Sequence, residues 1–158
     1  MKWSENLIAA TLAMQFLNRM HLVVVPNTKW TGYECDLLCV TKDLRIIDFE
    51  IKISRSDFYA DAKKLKWWNG REHPEKCWKH YYVMPAEIWD DSMAERLPSP
   101  SCGVLLLSFD HKNRPKVFCA KRAKPNKFAT RVSTEQVLDI ARLATLRMWS
   151  MIERGVAV

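Results

Sequence analysis

The sequence predicts a single domain of mixed α/β class, an α+β arrangement in which a central mixed sheet is flanked by helices. Three observations predict it. Helical periodicity opens and closes the chain, apolar and β-branched runs fill the middle, and those runs form two hairpins separated by a further helix and strand. At 158 residues, 1–158 suits one hydrophobic core, with no repeat, low-complexity segment or linker to divide it.

Ser4 is a candidate N-cap, and Leu7, Ala10, Met14 and Leu17, with Ile8 and Leu12, recur at helical spacing, so residues 4–18 read as the first helix. LVVVP, 22–26, reads as a strand that ends at proline. ECDLLCV, 34–40, and the stretch 44–53 read as an antiparallel hairpin joined by the polar TKD. Ser54 and the residues after it have the composition of a helix start, and Phe58, Ala62 and Leu65 place a second helix over 56–68. HYYVMP, 80–85, is aromatic and β-branched enough for a strand, and a short helical piece is expected over 88–97. GVLLLSF and KVFCA form a second hairpin around DHKNRP. Ser133 and Gln136 spell a capping box, after which Val137, Ile140, Ala141, Ala144, Met148 and Met151 share one helix face.

Five cysteines at positions 35, 39, 77, 102 and 119 do not form a disulfide framework and suit a reducing, cytoplasmic compartment. The apolar run LIAATLAMQFL follows Glu5 and Asn6 and contains Gln15, so it reads as an amphipathic helix and not as a signal. No stretch reaches the roughly 18 to 20 apolar residues of a membrane span, so no membrane partner is expected. The net charge of +7 is concentrated between Asp110 and Arg131, where eight Lys or Arg stand against one acid. Such a segment favours a polyanion, most often nucleic acid, while a solvated Lys-rich hairpin has the same composition.

IIDFEIKISRSDF, 46–58, raises the chemical question. Alternation puts Ile47, Phe49, Ile51 and Ile53 on one face of the strand and Asp48, Glu50 and Lys52 on the other. A solvated outer face would explain this row, and so would a site. Asp36 lies on the preceding strand, fourteen residues before Glu50, where a short turn sets it opposite or diagonal to that residue. Two carboxylates then converge beside a lysine, and a divalent cation removes their mutual repulsion. Hard oxygen ligands favour Mg2+ or Mn2+. Asp61-Ala-Lys63 has similar letters, but on a helix its i and i+2 positions diverge.

The spacing D36-x13-E50-I-K52, on a hairpin between two helices, resembles the PD-(D/E)XK nuclease superfamily. More narrowly, ECDLLCVTKDLRIIDFEIKISRSDFYAD with KCWKHYYVMP and PSCGVLLLSFD is similar to its MmcB-like DNA-repair group, over roughly residues 30 to 125. The resemblance implies a restriction-endonuclease-like core. It implies that Asp36, Glu50 and the backbone carbonyl of Ile51 hold the metal while Lys52 orients or activates the attacking water. Cys35 stands where the motif's name has proline.

Around this centre, Glu5 is a candidate further acid or a solvated first-turn residue. Ser54, Arg55 and Ser56 suit a phosphate or simple capping. Lys63 and Lys64, with Lys121, Arg122, Lys124 and Lys127 of the basic segment, are candidate DNA contacts. Trp67, Trp68 and Trp78 suit base stacking or packing, with packing favoured for at least two of them. His73, Cys77 and His80 lack a fourth zinc ligand at matching spacing. The expectation is a Mg2+- or Mn2+-dependent deoxyribonuclease acting in repair, recombination or mobile-element biology, with DNA as partner and no oligomer indicated. The alternative is a non-catalytic or partner-dependent DNA-binding module.

Overall fold

The computed structural model describes residues 2–61, 67 and 72–155. Its chain runs α1 (Glu5–Thr11), β1 (His21–Thr28), β2 (Cys35–Thr41), β3 (Ile46–Ile51), α2 (Arg55–Ala60), β4 (Lys79–Pro85), β5 (Gly103–Phe109), β6 (Pro115–Lys121) and α3 (Thr134–Glu153). The six strands form one open sheet in sequence order. β1, β2 and β3 pair antiparallel, β3–β4 and β4–β5 are parallel, and β5–β6 is an antiparallel hairpin. The mixed α+β class expected from the sequence is the class observed.

The Ser4 hydroxyl accepts the Leu7 N–H at 3.2 Å and starts α1, whose Ile8 is buried on the sheet, as is Leu12 just after it. A π-helical turn, Leu12–Phe16, follows, closed by the Leu17 N–H donating to the Leu12 carbonyl at 2.9 Å. The wider turn puts Leu17 on the side of Leu12. Leu17 is therefore buried, while Met14, expected on the core face, is 73% exposed. Strict 3.6-residue spacing fails there.

The α1 side of the sheet is apolar: Leu37, Cys39, Ile47, Phe49, Ile51, Tyr81, Val83, Leu105 and Leu107 pack with Ile8, Leu12 and Leu17. The other side carries two apolar clusters. One joins Phe58 of α2 to Tyr82, Met84, Val104 and Leu106, with Met93 and Leu97 from the connection between β4 and β5. The second places Ile140 of α3 and Val132 over Val25, Leu38, Val40 and Ile46. The β4–β5 connection contains two 3-10 turns, Ala86–Ile88 and Asp91–Arg96, the second within the short helical piece expected over 88–97.

The capping box at Ser133 and Gln136 forms as expected. The apolar stripe of α3 is covered only in part. Ile140 is fully buried, Val137, Ala144 and Met151 are half-buried, and Met148 is 45% exposed.

Candidate active site

Asp48 and Glu50 of β3, and Lys52 just past its end, stand on the face opposite α1, between the two apolar clusters. They are not a solvated row. Each is 1 to 2% exposed. Taking a charge out of water costs several kcal/mol even after relaxation, so a sheet face that is aliphatic at Leu38, Val40, Met84 and Val104 has a marked exception here.

The register between β2 and β3, carried one residue past the Leu37–Phe49 pair, sets Asp36 opposite Glu50. Asp36 is half-buried, and its Oδ2 accepts the Ile51 N–H at 2.7 Å, which holds the carboxylate against the end of β3. Glu50 Oε1 accepts from Lys52 Nζ at 2.7 Å. Asp36, Glu50 and Lys52 therefore lie together at one strand end, with the Ile51 amide on the Asp36 carboxylate. The Lys52 N–H bonds the Val83 carbonyl at 2.9 Å, which fixes this end beside β4.

Two partners of Lys52 were not foreseen. Its Nζ lies 3.1 Å from Asp61 Oδ1 and 3.7 Å from Asp57 Oδ1. Asp61 is fully buried and also accepts a hydrogen bond from the Tyr82 hydroxyl. Burial, reinforced by the Asp61 carboxylate, pushes the Tyr82 phenol far above its ordinary pKa. One ammonium thus faces three carboxylates, two of them buried. The signal in the sequence is Asp61's place three residues after Phe58, on the core-facing side of the helix.

Asp48 has a separate partner. The His80 Nδ1 bonds its Oδ2 at 2.8 Å across the parallel β3–β4 register, both residues being buried. His80 is thereby turned away from His73 and Cys77, with which the sequence offers no complete zinc site. His73 contacts the Lys124 carbonyl at 3.1 Å and Cys77 is buried under α3. Glu34 is exposed.

Glu5 is exposed in the first turn of α1 and borders the same shallow depression as Ile53, just past the end of β3. Ser54, not Ser56, caps α2, accepting the Asp57 N–H at 3.2 Å. Arg55 directs its Nε–H to the Ile88 carbonyl at 2.8 Å, tying α2 to the β4–β5 connection. These internal bonds explain Ser54 and Arg55 without a phosphate. Lys121 departs from its expected place on a DNA surface: its ammonium donates to the Pro100 carbonyl at 2.8 Å and also to the Cys102 carbonyl, and burial lowers its pKa. Arg122, Lys124 and Lys127 are exposed. They lie toward the other end of β4, where Asn126 bonds the Trp78 carbonyl. Trp67 is buried in the α2 cluster and Trp78 packs half-buried against the α1 side. The expected contacts Lys63 and Lys64, together with Trp68, lie outside the described residues.

Among the described residues no group of three or more His, Cys, Asp or Glu side chains is arranged to hold a metal ion. Asp36 and Glu50 supply two carboxylates, a number that suits Mg2+, which retains several waters and uses substrate phosphates as further ligands. No described helix is long and apolar enough to cross a membrane.

No family model matches the chain, and no curated protein matches it. A solved structure of SPO1766, a protein of unknown function from Silicibacter pomeroyi, aligns with a TM-score of 0.60 at 17% identity, over 96% of this chain and 92% of that one. The likeness is one of fold, an α+β architecture shared across nearly the whole of both chains.

Proposed function

We propose that this chain is a metal-dependent nuclease that hydrolyses phosphodiester bonds in DNA, on a core of the restriction-endonuclease kind. The observation that carries the reading is the meeting of Asp36, Glu50 and Lys52 at the end of β3. Asp36, Glu50 and the Ile51 carbonyl would hold Mg2+ or Mn2+, and all three are the hard oxygen donors these ions take. When bound, the metal lowers the pKa of water and neutralises charge on the phosphate. Lys52 then serves as a fixed positive charge beside the attacked phosphorus and as an orienting donor for the water. The Asp36 bond to the Ile51 amide and the Lys52 bond to Glu50 hold these groups in place before substrate arrives. A cytoplasmic address and a place in DNA repair, recombination or mobile-element biology go with this reading and with the sequence resemblance.

One observation favours a second reading. Lys52 is already held by Glu50 and Asp61, as a purely structural lysine would be. That suits a non-catalytic or partner-dependent DNA-binding module.

Cleavage of labelled single-stranded, duplex and forked DNA with Mg2+ or Mn2+ separates the two, comparing the native protein with an identically purified Lys52→Ala variant of matched circular dichroism. The nuclease reading expects the variant to lose about 100- to 1,000-fold in rate. Equal cleavage by both proteins would identify a contaminant. Binding without cleavage by either would favour the module.

A further inference from the structure

Phe128 is 95% exposed, and no other large hydrophobic residue described approaches that figure except Met14. A phenyl ring left in water forgoes the favourable transfer that burial gives, so its surroundings bear on what covers it. The segment around it is held firmly. The Asn126 N–H bonds the Trp78 carbonyl at 2.7 Å and its side-chain amide bonds the Cys77 carbonyl at 3.2 Å, while its Oδ1 accepts the Phe128 N–H at 3.0 Å. Lys124 is anchored in turn by its N–H to the Ser101 carbonyl at 2.9 Å and by its carbonyl to His73 Nε2. The ring is presented by a fixed backbone.

Beside it lies a pocket of about 350 Å³ bordered by His73, Lys124, Asn126, Lys127 and Phe128. Glu72, also on its border, is the one carboxylate there; its oxygen accepts the Ser101 hydroxyl bond. Two lysines and a fixed exposed aromatic ring are the two components of single-strand binding, cations for phosphates and a face on which an unpaired base stacks. A duplex keeps its bases stacked inside and offers the ring nothing comparable.

We propose that this pocket is a single-stranded DNA subsite, in which an unpaired base stacks on Phe128 while Lys124 and Lys127 contact the flanking phosphates. The proposal rests on the reading of DNA as the substrate and adds its strandedness. The subsite is a binding site and does not reach the reacting phosphate. Trp78 and Val83, whose carbonyls anchor the pocket segment and Lys52 respectively, are five residues apart along β4, about 16 Å.

The test is fluorescence anisotropy with labelled oligothymidine and a mixed-sequence duplex of equal length, in EDTA so that no cleavage occurs. Phe128→Ala should weaken single-strand binding about 5- to 100-fold and change duplex binding less than about twofold. Phe128→Trp should restore single-strand affinity, and Lys127→Gln should reduce the slope of log affinity against log salt by about 0.7. Equal oligothymidine affinity in native protein and Phe128→Ala would overturn the proposal, as would an equal loss on the duplex. A native protein that binds no single strand at all would overturn it too, and would favour a protein partner on this face. Because metal is absent, failure of the nuclease reading alone leaves these affinities unchanged.

Discussion

Asp61 shows at the scale of one residue what sequence letters leave out. The row Asp48, Glu50, Lys52 was legible because strand alternation is local, and the cross-strand place of Asp36 was legible because one short turn fixes it. The burial of that row was not, since it depends on α2 and the 3-10 turns folding over the sheet from further along the chain. Asp61 and Tyr82 meet through that long-range packing, and their hydrogen bond completes the surroundings of Lys52. Removing Asp61 leaves a buried ammonium with one fewer counter-charge and a buried phenol without its acceptor. Lys52 keeps Glu50, so the larger loss is the phenol's, and Asp61→Ala should destabilise the fold by about 1 to 3 kcal/mol. Urea denaturation checks this, with Tyr82→Phe and the double variant run alongside. Because the two residues share one hydrogen bond, the double loss should fall short of the sum of the singles. A loss under about 1 kcal/mol in Asp61→Ala would mean that solvent reaches this cluster.

Among the elements, strands kept their expected places better than helices did. β2 and β3 formed the expected hairpin because alternation and a four-residue connection specify it nearly alone. Helix faces depended on where the sheet ends. After α1 the π turn kept Leu17 inward and left Met14 out, and in α3 the predicted stripe extended past its cover at Met148. β5 carries a constraint that hydrophobic pattern cannot express. Gly103 pairs with Tyr81, and a Cβ built on it would meet the Tyr81 ring at 2.3 Å and the Ala123 nitrogen at 2.6 Å. Neither the packed ring nor the backbone can yield freely. Gly103→Ala should cost about 1 to 3 kcal/mol, the usual range for overpacking. Thermal unfolding measures it, and an unchanged midpoint would show that β4 and β5 separate easily at this edge of the cluster.

For the molecule as a whole, the fold class followed from element order, while the use of its charge did not follow from composition. The basic segment accounts for the full +7 excess, yet the structure divides it. Arg114 and Lys116 lie at 2.9 and 3.8 Å from Asp110, Arg131 bonds the Asp43 carbonyl at 3.0 Å, and Lys121 bonds two carbonyls. Lys112 is exposed in the turn between β5 and β6, at the far end of that hairpin from the Phe128 pocket, while Arg122 is exposed just past β6 and Lys124 and Lys127 are exposed on the border of the pocket. Composition alone would suggest up to eight phosphate contacts, whereas this partition leaves about three at the pocket end of the segment. Each phosphate neutralised on a single strand contributes about −0.7 to the slope of log affinity against log salt. The native protein on oligothymidine should therefore show a slope near about −2, measured by anisotropy between about 50 and 200 mM salt. A slope near about −5 to −6 would mean that the tethered cations also reach the DNA, and that the segment binds as one continuous basic surface. A slope near zero would remove electrostatics from the interaction, and with it the role given to Lys124 and Lys127.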